Sequence, residues 1–181
     1  MDGNNRWSVK NNIGKYESYK NGANKLIELS NFIFNNYSIN HVSAFALSKH
    51  NFKRGSVLIN IIKNVLIDFL DPQNNSHNFM FKVQFKGNLN FLPKKIINGL
   101  KNFEKKNLHS KKILTIYLNY SGKDDILNAL KQLSHSKKFS NTNFENNLSS
   151  AGVPDPDILI RTGGYKRISD FMLYQISFTE L

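Results

Sequence analysis

Cysteine is absent from the 181 residues, which excludes disulfide bridges and thiolate metal sites. Histidine does not take over the ligand role, because His41, His50, His77, His109 and His135 form no pair at metal-ligand spacing. Any metal would therefore have to be held by oxygen. Long apolar runs are also missing: nothing resembles a signal peptide, and no stretch reaches the roughly 18 apolar residues of a membrane helix. The expectation is a soluble, cytoplasmic protein. Tryptophan occurs once, at Trp7, and arginine only at Arg6, Arg54, Arg161 and Arg167, so every other basic residue is a lysine.

Acidic residues are scarce too, 13 against 25 basic ones, which leaves a formal charge of +12. That excess suggests a polyanionic partner, and nucleic acid is the first candidate to weigh. It is not favoured. Lysine, asparagine and isoleucine are over-used from end to end, as drift in an AT-rich genome would produce, and no RNA motif or ordered aromatic platform is present. Against such a bias the four arginines are informative. A planar guanidinium offers paired donors to phosphate oxygens where lysine offers a point charge. The four fall in three short motif-like segments; chance placement on surface loops is the alternative.

The length and the 40% hydrophobic content suit one domain with its own core. Ala23, Leu26, Ile27, Ser30, Ile33 and Phe34 recur at helical spacing and predict a helix over Asn21–Phe34. His41–Leu47 reads as a strand. Ser56–Leu70 reads as a helix too apolar for one ordinary face. After a polar turn over Asp71–Asn78, alternating Phe79, Phe81, Val83 and Phe85 predict a strand ending near Gly87. Pro93 can open a helix through Phe103. The unbroken run Ile113–Leu118 predicts a central parallel strand buried on both faces. A helix over Gly122–Leu133, an asparagine- and serine-rich connection over Ser136–Ser150, a strand over Ile158–Ile160 and a last helix over Phe171–Thr179 complete the reading. Strands alternating with helices imply a single α/β domain, residues 1–181, with a mostly parallel central sheet flanked by helices. Ligands of such sheets gather where strands end and helices begin, and the arginine-bearing segments are at such places.

Three segments carry candidate chemistry. Asp2-Gly3-Asn4-Asn5-Arg6-Trp7 combines a carboxylate, a permissive glycine, amides and a guanidinium. Backbone amides with Arg6 could cradle a diphosphate while Asp2 takes a Mg²⁺ bridging its oxygens, although a polar tail would look much the same. Ser48-Lys49-His50-Asn51-Phe52-Lys53-Arg54 follows a strand and precedes the apolar helix; it could bind phosphate, or be a loop and helix cap. Ile158-Leu159-Ile160-Arg161-Thr162-Gly163-Gly164 followed by Arg167-Ile168-Ser169 sets two arginines about a double glycine, so that backbone and guanidiniums can converge on one phosphate group. Asp155 and Asp157 read as turn and strand-entry residues around Pro156. Glu180 is a lone carboxylate, ligand or surface.

Taken together and in order, Met-Asp-Gly-Asn-x-Arg-Trp at Met1–Trp7, Ala-x-Ser-x-x-Asn-Phe-x-Arg at Ala46–Arg54, Leu-Asn-Tyr-x-Gly at Leu118–Gly122 and the Pro154–Ser169 stretch with Glu180 resemble the signature of the cis-prenyltransferases of the undecaprenyl diphosphate synthase type. The resemblance implies a homodimeric, Mg²⁺-dependent α/β enzyme. It would extend an allylic diphosphate, farnesyl diphosphate, with isopentenyl diphosphate to a cis-polyprenyl carrier lipid for cell-wall synthesis. It also implies cytoplasmic localisation at the inner face of the membrane, into which the product partitions. By motif match, Asp2 resembles the Mg²⁺ ligand and essential acid, with Gly3, Asn4, Arg6 and Trp7 around the allylic diphosphate. Ser48, Asn51 and Arg54 match the catalytic loop, where the asparagine is assigned to removing the isopentenyl proton. Arg161, Arg167, Ile168 and Ser169 match the isopentenyl diphosphate site, and Glu180 the second metal ligand. The Ser56–Leu70 helix becomes one wall of a tunnel for the growing chain rather than plain core.

The resemblance departs from the family pattern at Asn5, Lys15, Tyr19, His50, Phe52, Gly55, Leu58, Asn88 and Tyr165, the last standing for a glutamate. Against the family pattern the chain is expected to be short at both ends: the strand presenting Asp2 would precede Met1, and a segment beyond Glu180 is missing. A non-catalytic or decayed partner subunit of the same family is the alternative reading; retention of Asp2, Asn51 and the arginines argues against it. The paired aspartate-rich motifs of trans-prenyltransferases are absent, since Asp124-Asp125 lacks the third spaced aspartate.

Overall fold

Three parallel strands form the centre of the molecule. In the computed structural model, which describes residues 3–52, 55–73, 79–134 and 139–181, they are β1 (His41–Ser48), β2 (Lys82–Gly87) and β3 (Ile113–Tyr120), in the order β1-β3-β2. His41 and Lys82 both stand opposite Ile113, so the strands start level and run the same way. The apolar run thus occupies the middle position expected of it: Leu114 and Tyr117 are fully buried, on opposite faces of the sheet.

Helices α1 (Asn4–Lys10), α2 (Lys15–Asn36), α3 (Lys49–Phe52), α4 (Ser56–Leu70), α5 (Lys94–Glu104), α6 (Gly122–Leu133) and α7 (Asn141–Asn147) complete the described elements. On one face of the sheet Leu114, Ile116 and Leu118 pack with Val83 and Phe85 against Ile27 and Phe34 of α2, Ile62 and Leu66 of α4, and Leu100 and Phe103 of α5. Burying such side chains stabilises by roughly 1.5–3 kcal/mol each. Gly99 of α5 lets α4 come close, because a Cβ there would lie 2.7 Å from Leu70 Cδ1. The other face carries Tyr117 and Tyr120, packed with Phe45, Phe171 and Met172. Phe45 and Phe171 stack with centroids 4.6 Å apart.

Helix α4 spans the predicted residues and does two things with its excess of apolar side chains. Ile62, Val65 and Leu66 are buried, while Val57 and Ile67 are 66% and 50% exposed. No helix among the described residues is long and apolar enough to cross a membrane.

Several expectations need correction. The N-terminal motif is helical, as α1, and α2 starts ahead of the predicted Asn21. Strand β2 pairs only from Lys82; Phe79 and Phe81 instead join an aromatic cluster with Phe69 and Phe103. Part of the polar connection is α7, capped by Ser140, whose hydroxyl accepts from Asn143 N at 3.2 Å. Of Ile158–Ile160 only Ile158 is bridged, to Glu180, and both isoleucines are exposed. No helix forms over Phe171–Thr179. Ser169, Asp170 and Met172 have φ of 57°, 67° and 45°, left-handed values that a right-handed helix cannot continue. Packing overrides periodicity here, because the turn drives Phe171 and Met172 into the second core.

Candidate active site

Because the sheet is parallel, Ser48, Gly87 and Tyr120 end their strands on the same edge, and the candidate residues gather there. Gly87 has φ of +100° and lies under the backbone of β3; a Cβ would fall 2.2 Å from Leu118 O. Ser48 closes β1 and its hydroxyl accepts from Asn51 N at 3.0 Å, which fixes the start of α3. The following residue, Lys49, pairs with Asp124 in the first turn of α6.

That same turn holds the C-terminal segment. Gly122 N donates to Asp170 O at 2.8 Å and Lys123 N to Asp170 Oδ1 at 3.0 Å. Gly122 permits the approach, since a Cβ would sit 2.9 Å from Leu173 Cγ and 3.1 Å from Asp170 O. The loop bearing Asn51 and the segment bearing Ser169 are therefore fastened to one helix end, which is the physical content of the Leu-Asn-Tyr-x-Gly motif.

The N-terminal motif arrives from across the chain. Gly3 has φ of +95° and its carbonyl accepts from Trp7 N at 2.8 Å, opening α1. Asn4 is clamped to α2: its carbonyl accepts from Ser18 Oγ at 2.6 Å, and its side chain lies where a Cβ on Gly22 would intrude at 2.9 Å. Two residues on, Arg6 Nη2 donates to Gly163 O at 2.7 Å. Gly163 and Gly164 adopt φ of 88° and 83°, the conformation that the double glycine permits. Trp7 is 45% exposed beside Arg6.

Within the Arg161–Ser169 segment, Arg161 Nη1 donates to the Arg167 carbonyl and to Ser169 Oγ, the latter at 2.7 Å. Three guanidiniums then surround one ring. The carbons of Arg6, Arg161 and Arg167 lie 4.6, 5.7 and 4.3 Å from the centroid of Tyr165. Ile168, next in sequence to Arg167, is exposed. Like charges held this close together repel, and an anion placed among them would relieve the repulsion.

Glu180 pairs through its backbone with the residues that precede Arg161. Leu159 N donates to Glu180 O at 2.8 Å and Glu180 N to Asp157 O at 3.0 Å. Among the described residues no group of three histidine or carboxylate side chains could hold a metal by itself. Asp2 and Arg54 lie outside the described residues. No hydrogen bond among the described residues joins Ser48 or Asn51 to the three arginines; the link runs through α6. Sequence reasoning missed Lys49, Asp124, Asp170 and Tyr165 as supports, and only the glycine of the Leu118–Gly122 motif pointed towards them. A cavity of about 360 Å³ opens at the other edge of the sheet, lined by Phe34, Asn40, Met80, Ser110 and Lys112, and shares no residue with this cluster.

The family model for prenyltransferases, described as "Putative undecaprenyl diphosphate synthase", matches residues 1–181. The chain belongs to the cis-prenyltransferase family. A relative from Pyrobaculum aerophilum, tritrans,polycis-undecaprenyl-diphosphate synthase (geranylgeranyl-diphosphate specific), is 33% identical over 99% of this chain and 80% of its own length. An isoprenyl transferase from Rickettsia felis is 33% identical over 100% of the chain and 78% of its own. A crystal structure described as a probable undecaprenyl diphosphate synthase from Campylobacter jejuni superposes with a TM-score of 0.75 at 26% identity, covering 88% of this chain and 76% of that one. The cis-prenyltransferase family condenses isoprenyl diphosphates, and the three-stranded parallel sheet flanked by helices is the fold of undecaprenyl diphosphate synthases.

Proposed function

We propose that this chain extends farnesyl diphosphate with isopentenyl diphosphate, in a Mg²⁺-dependent reaction, to a cis-polyprenyl diphosphate that serves as a carrier lipid for cell-wall synthesis. The observation that carries the reading is the meeting of Arg6, Arg161 and Arg167 at one ring, although Arg6 and Gly163 are 157 residues apart in sequence. A protein that binds no polyanion gains nothing from assembling three cations there.

Each residue then has a task. Gly3, Asn4, Arg6 and Trp7 hold the allylic diphosphate at the start of α1. Arg161 and Arg167, with Ser169 and Ile168, hold isopentenyl diphosphate. Ser48 and Arg54 bind substrate beside it, and Asn51 takes the proton that the isopentenyl group loses. The allylic C–O bond breaks, its electron pair leaves with the diphosphate, and a new C–C bond forms to the isopentenyl carbon. Guanidiniums stabilise the departing charge, and positioning of two reactants supplies much of the remaining acceleration.

The donor set suits Mg²⁺. This ion takes one or two carboxylates and completes its shell with substrate phosphates and water, so the absence of a three-ligand cage among the described residues is compatible with it. Asp2, next to Gly3, and Glu180 would hold it, and when bound it would neutralise charge developing on the leaving diphosphate. The apolar surplus of α4, with Val57 and Ile67 exposed beside Asn60 and Asn64, supports a role as wall for an apolar product. Ile158 of the Ile158–Glu180 bridge and the nearby Ile160 and Phe178 are exposed apolar side chains and support a homodimer.

Purified protein incubated with Mg²⁺, farnesyl diphosphate and labelled isopentenyl diphosphate is expected to yield extended product, and Asp2→Ala to lose nearly all turnover. Absence of product at every protein concentration would remove the catalytic reading and leave a non-catalytic partner subunit.

A further inference from the structure

The edge of the sheet where the strands begin carries a surface that shares no residue with the arginine cluster. The loop between α5 and β3 lies there, and residues 105–112 contain Lys105, Lys106, Lys111 and Lys112 with no carboxylate among them. Lys105, Lys106 and Lys111 are exposed, and none is held in an ion pair among the described residues. Lys106 Nζ lies 5.0 Å from the centroid of the Phe103 ring. Glu104, the carboxylate just before them, accepts from Phe85 N at 2.7 Å and is turned towards the sheet.

Apolar side chains crowd the same edge. Phe32, Tyr37, Met80 and Leu108 are each more than half exposed, and Ile39 is exposed as well. Hydrogen bonds fix them relative to the lysines. Ser110 Oγ donates to Met80 O at 3.1 Å and Asn107 Nδ2 to Phe81 O at 3.3 Å, so the turn bearing Leu108 is tied to the segment bearing Met80. Ile113 N donates to Asn40 O at 2.8 Å, which brings the residues after α2 to this edge. The rings of Phe32 and Tyr37 meet edge-on with centroids 6.1 Å apart. The cavity of about 360 Å³, with Asn35, Asn40, Met80 and Lys111 in its lining, is the notch between the end of α2 and the lysine-bearing loop.

Exposed apolar side chains rimmed by polar ones mark an interaction surface, and here the charge selects the partner. A second copy of this chain would bring lysines against lysines. A nucleic acid would use the cations and the two rings but would leave Ile39, Met80 and Leu108 in water. An anionic bilayer satisfies both sets of side chains: headgroup phosphates take the lysines, and the apolar groups enter the boundary with the acyl chains.

We infer that the edge of the sheet where the strands begin is a docking face for an anionic lipid bilayer. Lys105, Lys106 and Lys111 meet the headgroups, and Tyr37, Met80 and Leu108 insert at their level. The inference does not rest on the proposed reaction, because it uses neither the arginine cluster nor any candidate catalytic residue.

Co-sedimentation of the full chain with vesicles of phosphatidylcholine alone, or of phosphatidylcholine mixed with phosphatidylglycerol, tests this without any substrate. Binding is expected to the mixed vesicles and is expected to fall as salt rises. Lys105→Gln combined with Lys106→Gln is expected to lower the partition coefficient about thirtyfold, roughly fivefold for each lysine near a charged surface. Leu108→Ser keeps the charge and is expected to lower it about fivefold. Lys94→Gln with Lys95→Gln removes the same charge at the start of α5, which follows the end of β2, and is expected to change it by less than about twofold. Circular dichroism checks that each variant is folded. Failure of the wild type to sediment with the mixed vesicles would overturn the inference. So would an equal loss in the Lys94 and Lys95 variant, which would make binding a property of diffuse charge, or a Leu108→Ser variant that binds as tightly as the wild type. Retention of RNA through Lys105 and Lys106 without vesicle binding would assign the face to nucleic acid instead.

Discussion

Two tyrosines of β3 lie in the same core and differ by one bond. Tyr120 donates to Asp125 Oδ2 at 3.0 Å, and Asp125 also accepts from Ser149 N at 2.8 Å, so the carboxylate ties α6 to the segment after α7. The Tyr117 hydroxyl is buried with no hydrogen-bond partner among the described residues. Burial first, and then the charge of Asp125, push both phenols well above the ordinary value. Removing a buried hydroxyl that has no partner costs nothing in hydrogen bonding, whereas removing a bonded one leaves Asp125 short. Tyr117→Phe is therefore expected to leave the denaturation midpoint unchanged or raise it, and Tyr120→Phe to lower stability by about 1–2 kcal/mol, both read from urea unfolding. At this scale the sequence was partly legible. The unbroken apolar run placed Tyr117 in a buried strand, but Asp124-Asp125 invited comparison with a metal motif, whereas the first pairs with Lys49 and the second caps a tyrosine. Nothing local distinguishes those fates, because each partner comes from elsewhere in the chain or from the tertiary arrangement around the helix start.

Helix α2 and the apolar helix α4 are joined on their solvent side by a small polar clamp. Asp68 accepts from Tyr16 and lies 2.7 Å from Lys20 Nζ. The hydrogen bond from Lys20, and then that from Tyr16, hold the Asp68 carboxyl below its ordinary value of 3.8. A carboxylate with a depressed folded value contributes stability that is fully present above its unfolded value and is lost as pH falls through the folded one. The stability gap between the wild type and Asp68→Asn is thus expected to be largest near neutrality and to shrink as pH falls below the ordinary value of 3.8, measured by denaturant midpoints along a pH series. The element scale is also where periodicity was read best and worst. Helices α4 and α6 run over the predicted residues because dense apolar spacing and, for α6, the Ser121 cap agree with the tertiary fold. The expected helix at Phe171 fails because Asp170 is recruited to the start of α6, and no pattern within residues 171–179 carries that information.

For the whole molecule the relevant quantity is the charge of +12. Much of it is lysine spread along the chain, so it acts as a diffuse field that draws anionic substrates and is screened by salt. The expected result is a fall in kcat/KM for isopentenyl diphosphate as sodium chloride rises, carried by KM; an unchanged value between low and physiological salt would contradict steering. Arg167→Lys separates field from geometry, since it keeps the charge and removes the paired donors. It is expected to raise KM for isopentenyl diphosphate about tenfold at every salt concentration. The fold class followed from strands alternating with helices, and the candidate segments from the rarity of arginine. That Arg6 would rest on Gly163 was not legible from spacing, because the contact spans nearly the full chain.

The same contact orders events during synthesis. Arg6 is translated before Gly163 and Tyr165 and meets them only once they exist, so a nascent polypeptide can assemble the sheet while this arginine cluster is still incomplete. A ligand held by this cluster thus cannot assist the folding steps that precede translation of Tyr165.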